Sequence, residues 1–394
     1  MKILVVLPRF PYPLEKGDKL RAYHQIVELS KRHEIYLFCV SHTKVAPESI
    51  DALRPYCKGI RVARLNKVIC ACNILRNWFA SKSLQMGFWN TERSKRSYKA
   101  YEREVQPDVV YNQMVRTMPL VARSKRPKVM DFQDALSMNT ERRMERSRGL
   151  WHYVLHYEFK MLRSSEYNAF SFFDGLTIIS ETDSEAIPHK KNGEIKIVPN
   201  GVDFDYFNTQ AFKPSGNQSF SIVFCGNMSY APNVDAARYL VKEVMPLVWE
   251  EHPEATVLLA GADPKSAVRA LASERVTVSG HVPDIRESYS SSKIFVAPMR
   301  IGSGLQNKLL EAMAMQLPCI TTSLANTPLG ATDGEHLLVG DDAETLAAHI
   351  VSLLDNVDRR AQIAASGNQF VQQHYSWSAA VEPLEKLLNA VVFK

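Results

Sequence analysis

Residues 296–322 read V-A-P-M-R-I-G-S-G-L-Q-N-K-L-L-E-A-M-A-M-Q-L-P-C-I-T-T. An apolar run at 293–297 closed by Pro298 predicts the end of a buried strand. Gly302-Ser303-Gly304 brackets a loop, residues 305–316 carry no breaker and predict a helix, and Pro318 opens a short strand over 319–322. Strand, glycine loop, helix and strand make a βαβ unit whose loop opens a helix N-terminus. Free N–H groups and the helix dipole turn such a terminus into an anion site. Lys308 on the first turn adds a full positive charge, and Glu311, three residues on, shares its face. Leu309, Leu310, Ala312, Met313 and Ala314 are the predicted buried side. A carboxylate beside a phosphate cradle suits the hydroxyls of a sugar just beyond it better than the phosphate itself. The plainer reading is a solvated Lys/Glu pair on an ordinary amphipathic helix.

The same alternation runs outward in both directions. Residues 2–7 are a continuous apolar run, a strand buried on both faces. A turn-rich loop over 8–18 follows, then a helix over 19–31 with Leu20, Tyr23, Ile26, Val27 and Ser30 on its inner side. A loop at the carboxyl end of a first strand is where α/β domains bind ligands, and Gly17 lets backbone approach closely there. Further strands are expected at 34–40, 108–112, 128–131, 175–179 and 195–198, with a helix over 150–173 and Ser180 as an N-cap. Asp131 and Asp134 end a strand and are candidates to face the cleft between the domains. After a polar linker at 213–219, strands recur at 221–225, 256–259 and 276–279 and, past the central unit, at 336–339. A helix at 343–354 and an amphipathic tail over 376–392 complete the chain.

At 394 residues, 45% hydrophobic and 23% charged, the chain is a soluble globular protein long enough for two domains. No apolar run is long enough to span a membrane, and M-K-I-L-V-V-L-P lacks a leader-cleavage pattern. None of the six cysteines forms a C-x-x-C pair, which argues against metal and redox sites and suits a reducing cytoplasm. Charge is uneven: residues 1–200 carry net +13 and the remainder net −7. The first half therefore faces something anionic, a membrane surface or a phosphorylated acceptor. No nucleic-acid module accompanies these cations, so nucleic acid is not an expected partner. Within 54–103, Arg61, Arg64, Lys67, Arg76, Lys82, Arg93, Lys95, Arg96 and Lys99 interleave with Trp78, Phe79, Phe88 and Trp89. That pattern fits an interfacial helix or hairpin, or ordinary helices whose aromatics enter the core.

Residues 302–314 follow G-x-G-x-x-x-K-x-x-E-A-x-A, residues 199–203 are P-N-G-V-D, and residues 224–228 are F-C-G-N-M with Pro232-Asn233 just beyond. Together these resemble the retaining glycosyltransferases of the GT-B fold, glycosyltransferase family 4. The resemblance spans essentially the whole chain. It implies two Rossmann-like, doubly wound α/β domains facing a central cleft. Residues 1–200 would bind the acceptor, residues 201–375 the nucleotide sugar, and residues 376–394 would form a helix returning to the first domain. It implies that Glu311 holds the donor ribose and that Gly302, Ser303, Gly304, Leu305 and Lys308 hold the diphosphate. Gly17, Gly226, Asn227 and Arg300 would assist, and Val282 would lie beside the nucleobase. The resemblance further implies that Lys308 and Glu311 would act in catalysis with Asp134, which with Ser137 would meet the acceptor. The commoner family pattern has a second glutamate at the position of Ser303, so contacts to the donor hexose must come from elsewhere.

The implied activity is transfer of a hexosyl group from a UDP- or GDP-linked donor to a glycan or lipid-linked acceptor hydroxyl, in cell-surface polysaccharide or glycolipid synthesis. The resemblance also implies that configuration is retained and that neither a metal nor a cofactor takes part. The expected location is cytoplasmic, with peripheral contact at the inner membrane face. A nucleotide-sugar epimerase of the same shape and a non-catalytic sugar-nucleotide binder are the rivals.

Overall fold

Apolar runs become the strands of two separate parallel sheets in the computed structural model, which describes residues 1–14, 17–145, 147–212, 219–301 and 304–393. The first sheet contains β1 (Lys2–Leu7), β2 (Glu34–Ser41), β3 (Cys57–Arg64), β4 (Val109–Gln113), β5 (Lys128–Asp131), β6 (Gly175–Ile178) and β7 (Lys196–Ile197), in the order β3-β2-β1-β4-β5-β6-β7. The second contains β8 (Phe220–Cys225), β9 (Val257–Ala260), β10 (Val276–Gly280), β11 (Ser292–Ala297), β12 (Cys319–Thr321) and β13 (Leu338–Val339), in the order β10-β9-β8-β11-β12-β13. Every pairing of these strands is parallel. In each sheet the chain first winds one way and then returns past its first strand to wind the other way. The switch points, β1/β4 and β8/β11, open at carboxyl ends of strands, where α/β proteins bind ligands.

Contacts divide the chain into two compact units, Met1–Pro199 with Ala380–Lys394, and Asn200–Ala379. Helix Trp377–Val392 therefore returns to the first unit, burying Leu384, Leu388 and Val391 there. Its Glu385 binds Arg32 and, at 2.9 Å, His33. The P-N-G-V-D motif has a packing role in the second unit. A Cβ on Gly201 would sit 2.8 Å from the Trp377 backbone, and Val202 N–H donates to the Tyr375 carbonyl at 2.7 Å.

Among the departures from the expected elements, three stretches stand out. Residues 54–103, left without assigned elements above, form edge strand β3 and helices Lys67–Phe79, Leu84–Trp89 and Glu92–Val105. Helix Val357–Tyr375 was likewise not anticipated; its low apolar content hides the inner stripe Ile363, Ala364, Gly367 and Val371. Helix Gly17–Ser30 buries Arg21, Ala22, Gln25, Ile26 and Leu29, whereas Leu20, Tyr23, Val27 and Ser30 are only partly covered. Counting apolar residues misplaces this face because Arg21 and Gln25 have buried polar partners, which offset their desolvation.

Candidate active site

In the second unit, β8 and β11 end side by side at the switch point. The turn after β8 is built by close approach: a Cβ on Gly261, after β9, would lie 1.8 Å from the Gly226 carbonyl oxygen. Gly261 has φ +141°, so glycine satisfies both the space and the backbone. Asn227 Oδ1 accepts from Ser229 N–H at 2.8 Å, and Asn233 Nδ2 donates to the Asn227 carbonyl at 2.9 Å. Asn233 sits in helix Ala231–Tyr239, and its side-chain oxygen accepts from Lys308 Nζ.

Lys308 and Glu311 come from helix Asn307–Ala314, whose buried face is Leu309, Leu310, Ala312, Met313 and Ala314, as its apolar pattern predicts. The N-cap residue, Gln306, makes no side-chain capping bond, so the first N–H groups point at an uncapped end. Gly304 precedes it with φ +77°. Gly302 and Ser303 lie outside the described residues, so their assigned roles have no structural description. Leu305 and Val282 are half-buried against the core of the unit.

The electrostatics of the pair are unusual. Both side chains keep part of their surface open to solvent, while their charged ends meet protein groups and are desolvated. Lys308 Nζ lies 4.8 Å from the Phe224 ring centroid and 3.9 Å from Met299 Sδ, and burial lowers its pKa to about 8 against the attraction of Glu311. Glu311 Oε2 accepts from the Tyr289 hydroxyl at 2.8 Å, yet burial raises its carboxyl to about 7. Tyr289, fully buried in helix Ile285–Ser290, is a site residue that the sequence did not reveal, because its hydroxyl meets Glu311 only through tertiary packing. Burial also holds the Cys225 thiol well above its ordinary range, beside the same tyrosine. Arg300 is differently placed: its guanidinium binds Asp235 at 3.0 Å, approaches Glu243 at 3.5 Å and covers the Tyr239 ring. Two carboxylates already match its charge, whereas Lys308 donates to a neutral amide.

In the first unit, the β1/β4 switch point carries a small recess lined by Arg9, Asp18, Lys19, Gln113 and Gln133. Asp131, beneath it, is fully buried and binds Arg21 Nε at 2.7 Å, with the Tyr111 hydroxyl 3.0 Å away. That carboxylate is committed to the core and not to an open surface. Asp134 is partly exposed; Asn139 donates to it at 2.8 Å, and burial with repulsion from Asp183 raises its carboxyl to about 6. Ser137 is buried and its N–H donates to Glu166 at 2.9 Å, so its backbone serves helix packing. Gly17 opens helix Gly17–Ser30 and is exposed, with nothing near its missing Cβ.

Residues 219–356, which span the β8/β11 site, match the family model described as glycosyl transferases group 1. The chain is 24% identical to an uncharacterized 44.6 kDa protein in the cps region of Klebsiella pneumoniae, across 95% of this chain and 96% of that one. It is 30% identical to a GDP-mannose-dependent monoacylated alpha-(1-6)-phosphatidylinositol monomannoside mannosyltransferase of Corynebacterium glutamicum, across 38% of this chain and 42% of that one. Among solved structures, Anabaena HepE in complex with UDP and glucose superimposes with a TM-score of 0.65 at 14% identity, covering 98% of this chain and 99% of that one. The fold is that of the GT-B glycosyltransferases, two Rossmann-like α/β units. The chain carries a group 1 glycosyl transferase domain over residues 219–356 and is a transferase enzyme.

Proposed function

We propose that the enzyme moves a hexosyl group from a UDP- or GDP-linked sugar to a hydroxyl of a glycan or lipid-linked acceptor in cell-surface polysaccharide or glycolipid synthesis, as a retaining, metal-independent enzyme of glycosyltransferase family 4. One observation carries this reading: a desolvated lysine and glutamate, one helical turn apart, at an uncapped helix N-terminus on the β8/β11 switch point. Breakage of the bond between the anomeric carbon and the diphosphate oxygen leaves negative charge on the diphosphate. Lys308, the helix N–H groups and the Gly226-Asn227 turn receive that charge without a metal ion or cofactor. Glu311 accepts hydrogen bonds from the ribose hydroxyls, and backbone near Val282 meets the base. Gly304 and Leu305 shape the approach to the diphosphate; Arg300, held by Asp235 and Glu243, acts from further out. Asp134 and the recess beside Arg9 serve the acceptor side, and the loop at Gly17 serves the donor phosphate or the acceptor. The group 1 domain and the named transferase relatives favour transfer over epimerisation.

The test is a panel of UDP- and GDP-sugars incubated with protein and acceptor extract, in chelator, with nucleoside diphosphate release measured. Release with transfer of label to acceptor supports the reading. Interconversion of the sugar nucleotide without release would favour the epimerase, and loss of activity in chelator would end the metal-independent assignment. In Lys308→Ala, nucleoside diphosphate should lose far more affinity than the bare nucleoside; equal losses would make Lys308 structural.

A further inference from the structure

Helix Lys67–Phe79 in the first unit keeps most of its large apolar residues on its outer side. Its inner side buries Cys70 and is anchored by amides: the Asn73 amide donates to the carbonyls of Gly87 and, at 3.1 Å, Asn90, and the Asn77 amide donates to the Ser83 carbonyl at 2.9 Å. Its outer side is apolar. Val68, Cys72, Leu75 and Phe79 follow one another at helical spacing, all exposed, with Phe79 at 86% and Val68 at 71%. Ile69 and Trp78 widen the stripe. The Trp78 ring stacks on Tyr157 with centroids 5.3 Å apart, and the Tyr157 hydroxyl donates to a backbone carbonyl at Trp78 or Lys82. This joins the stripe to the start of helix Leu150–Phe172, where Leu150, Trp151 and Tyr153 are exposed at 81%, 57% and 72%.

A contiguous exposed apolar patch of this kind marks an interaction surface. The charge around it selects the partner. Residues 67–82 contain Lys67, Arg76 and Lys82 and no acidic residue, and residues 147–157 contain Arg148 and none. The next acid, Glu158, is buried and accepts from Ser83, Leu84 and Gln85. By contrast, helix Glu92–Val105, which carries Lys95, Arg96 and Lys99, exposes charge of both signs, and Trp89 before it is buried in the core. The surface is a ridge of protruding side chains with tryptophan and tyrosine along its border, suited to a fluid plane and not to a rigid groove.

We propose that helix Lys67–Phe79 and the start of helix Leu150–Phe172 lie in the headgroup layer of an anionic phospholipid bilayer, with Val68, Leu75, Phe79 and Trp151 entering the acyl region. The helix runs parallel to the membrane, and Lys67, Arg76, Lys82 and Arg148 contact lipid phosphates. This docking is independent of the donor-site assignment, because no residue of that site takes part.

The full chain is mixed with vesicles of phosphatidylcholine alone or of phosphatidylcholine with phosphatidylglycerol, and binding is read by co-sedimentation and by quenching of tryptophan fluorescence with brominated acyl chains. Of the five tryptophans, Trp78 and Trp151 are the exposed ones, so quenching reports this patch. Binding should require the anionic lipid and weaken with salt. Leu75→Ser with Phe79→Ser should lose about ten-fold or more in affinity, while nucleoside diphosphate binding and the circular dichroism spectrum stay unchanged. Arg76→Gln and Lys82→Gln should each lose about five-fold on anionic vesicles. The proposal is overturned if the wild-type chain stays in the supernatant at low salt, or if the Leu75/Phe79 variant binds as well as wild type. It is equally overturned if these substitutions only dissociate a dimer, which would make the patch a contact between copies.

Discussion

Glu311→Gln should make the ligand-free protein more stable while crippling donor binding. Burial raises this carboxyl from 4.5 to about 7 even with Tyr289 donating to it and Lys308 nearby. At about 1.4 kcal/mol per tenfold change in proton affinity, keeping Glu311 ionised above pH 7 costs up to about 3 kcal/mol. The sign follows from linkage. A group whose folded pKa is raised holds more protons in the folded state, so its relative contribution is intact below 4.5 and is lost as pH rises to about 7. A neutral glutamine keeps the shape and an acceptor for Tyr289 but carries none of this penalty, although it forfeits the attraction to Lys308. Urea unfolding of wild type and variant, compared from pH 4 to pH 8.5, should therefore show a stability advantage for Glu311→Gln that is near zero at the acid end. The advantage should grow through the window between 4.5 and about 7 and level off above it. Calorimetry with nucleoside diphosphate should show affinity lost by roughly one to two charge-assisted hydrogen bonds, about 1.5–3 kcal/mol each. A variant less stable than wild type at pH 8, or an advantage flat across pH, would refute the desolvated-carboxylate argument. Unchanged nucleotide affinity would remove Glu311 from the site.

Nucleoside diphosphate affinity in the wild type should peak between the Glu311 value of about 7 and the Lys308 value of about 8. Below the window the carboxyl is protonated, and above it the ammonium is lost. Tyr289→Phe removes a donor to the ionised carboxylate, so the acid limb of a calorimetric pH profile should move upward by about one pH unit, with the alkaline limb unmoved. Gly261→Ala would force a Cβ to 1.8 Å from the Gly226 carbonyl; chemical denaturation should show a loss on the order of 3 kcal/mol, accompanied by weaker nucleotide binding. Asp131→Asn would leave the buried Arg21 charge without its ionic partner and should cost about 3–5 kcal/mol in the same assay, with donor binding in the surviving folded fraction unaffected.

Much of the second unit was legible in the chain because its signals are local. The alternation of apolar runs with breaker-free helices sets strand and helix positions, and the buried face of helix Asn307–Ala314 follows from period alone. Lys308 and Glu311 share a face for the same reason. What the sequence could not convey is what each polar group meets after folding. Tyr289 and Glu311 are 22 residues apart and become partners only when helix Ile285–Ser290 packs beside helix Asn307–Ala314. Arg300 reads as a free cation until Asp235 and Glu243 are brought to it, and Asp131 reads as an open strand-end carboxylate until Arg21, 110 residues away, closes over it. The basic, aromatic stretch 54–103 shows the same division. Composition establishes that it holds cations and large apolar groups, but the side each one faces depends on neighbours. Trp89 turns into the core, whereas Val68, Leu75 and Phe79 turn outward because asparagines anchor the opposite side of their helix. Local periodicity determines which elements form, since it depends on residues a few positions apart. Burial, partner and charge state depend on contacts distant in sequence, and these only the tertiary structure decides.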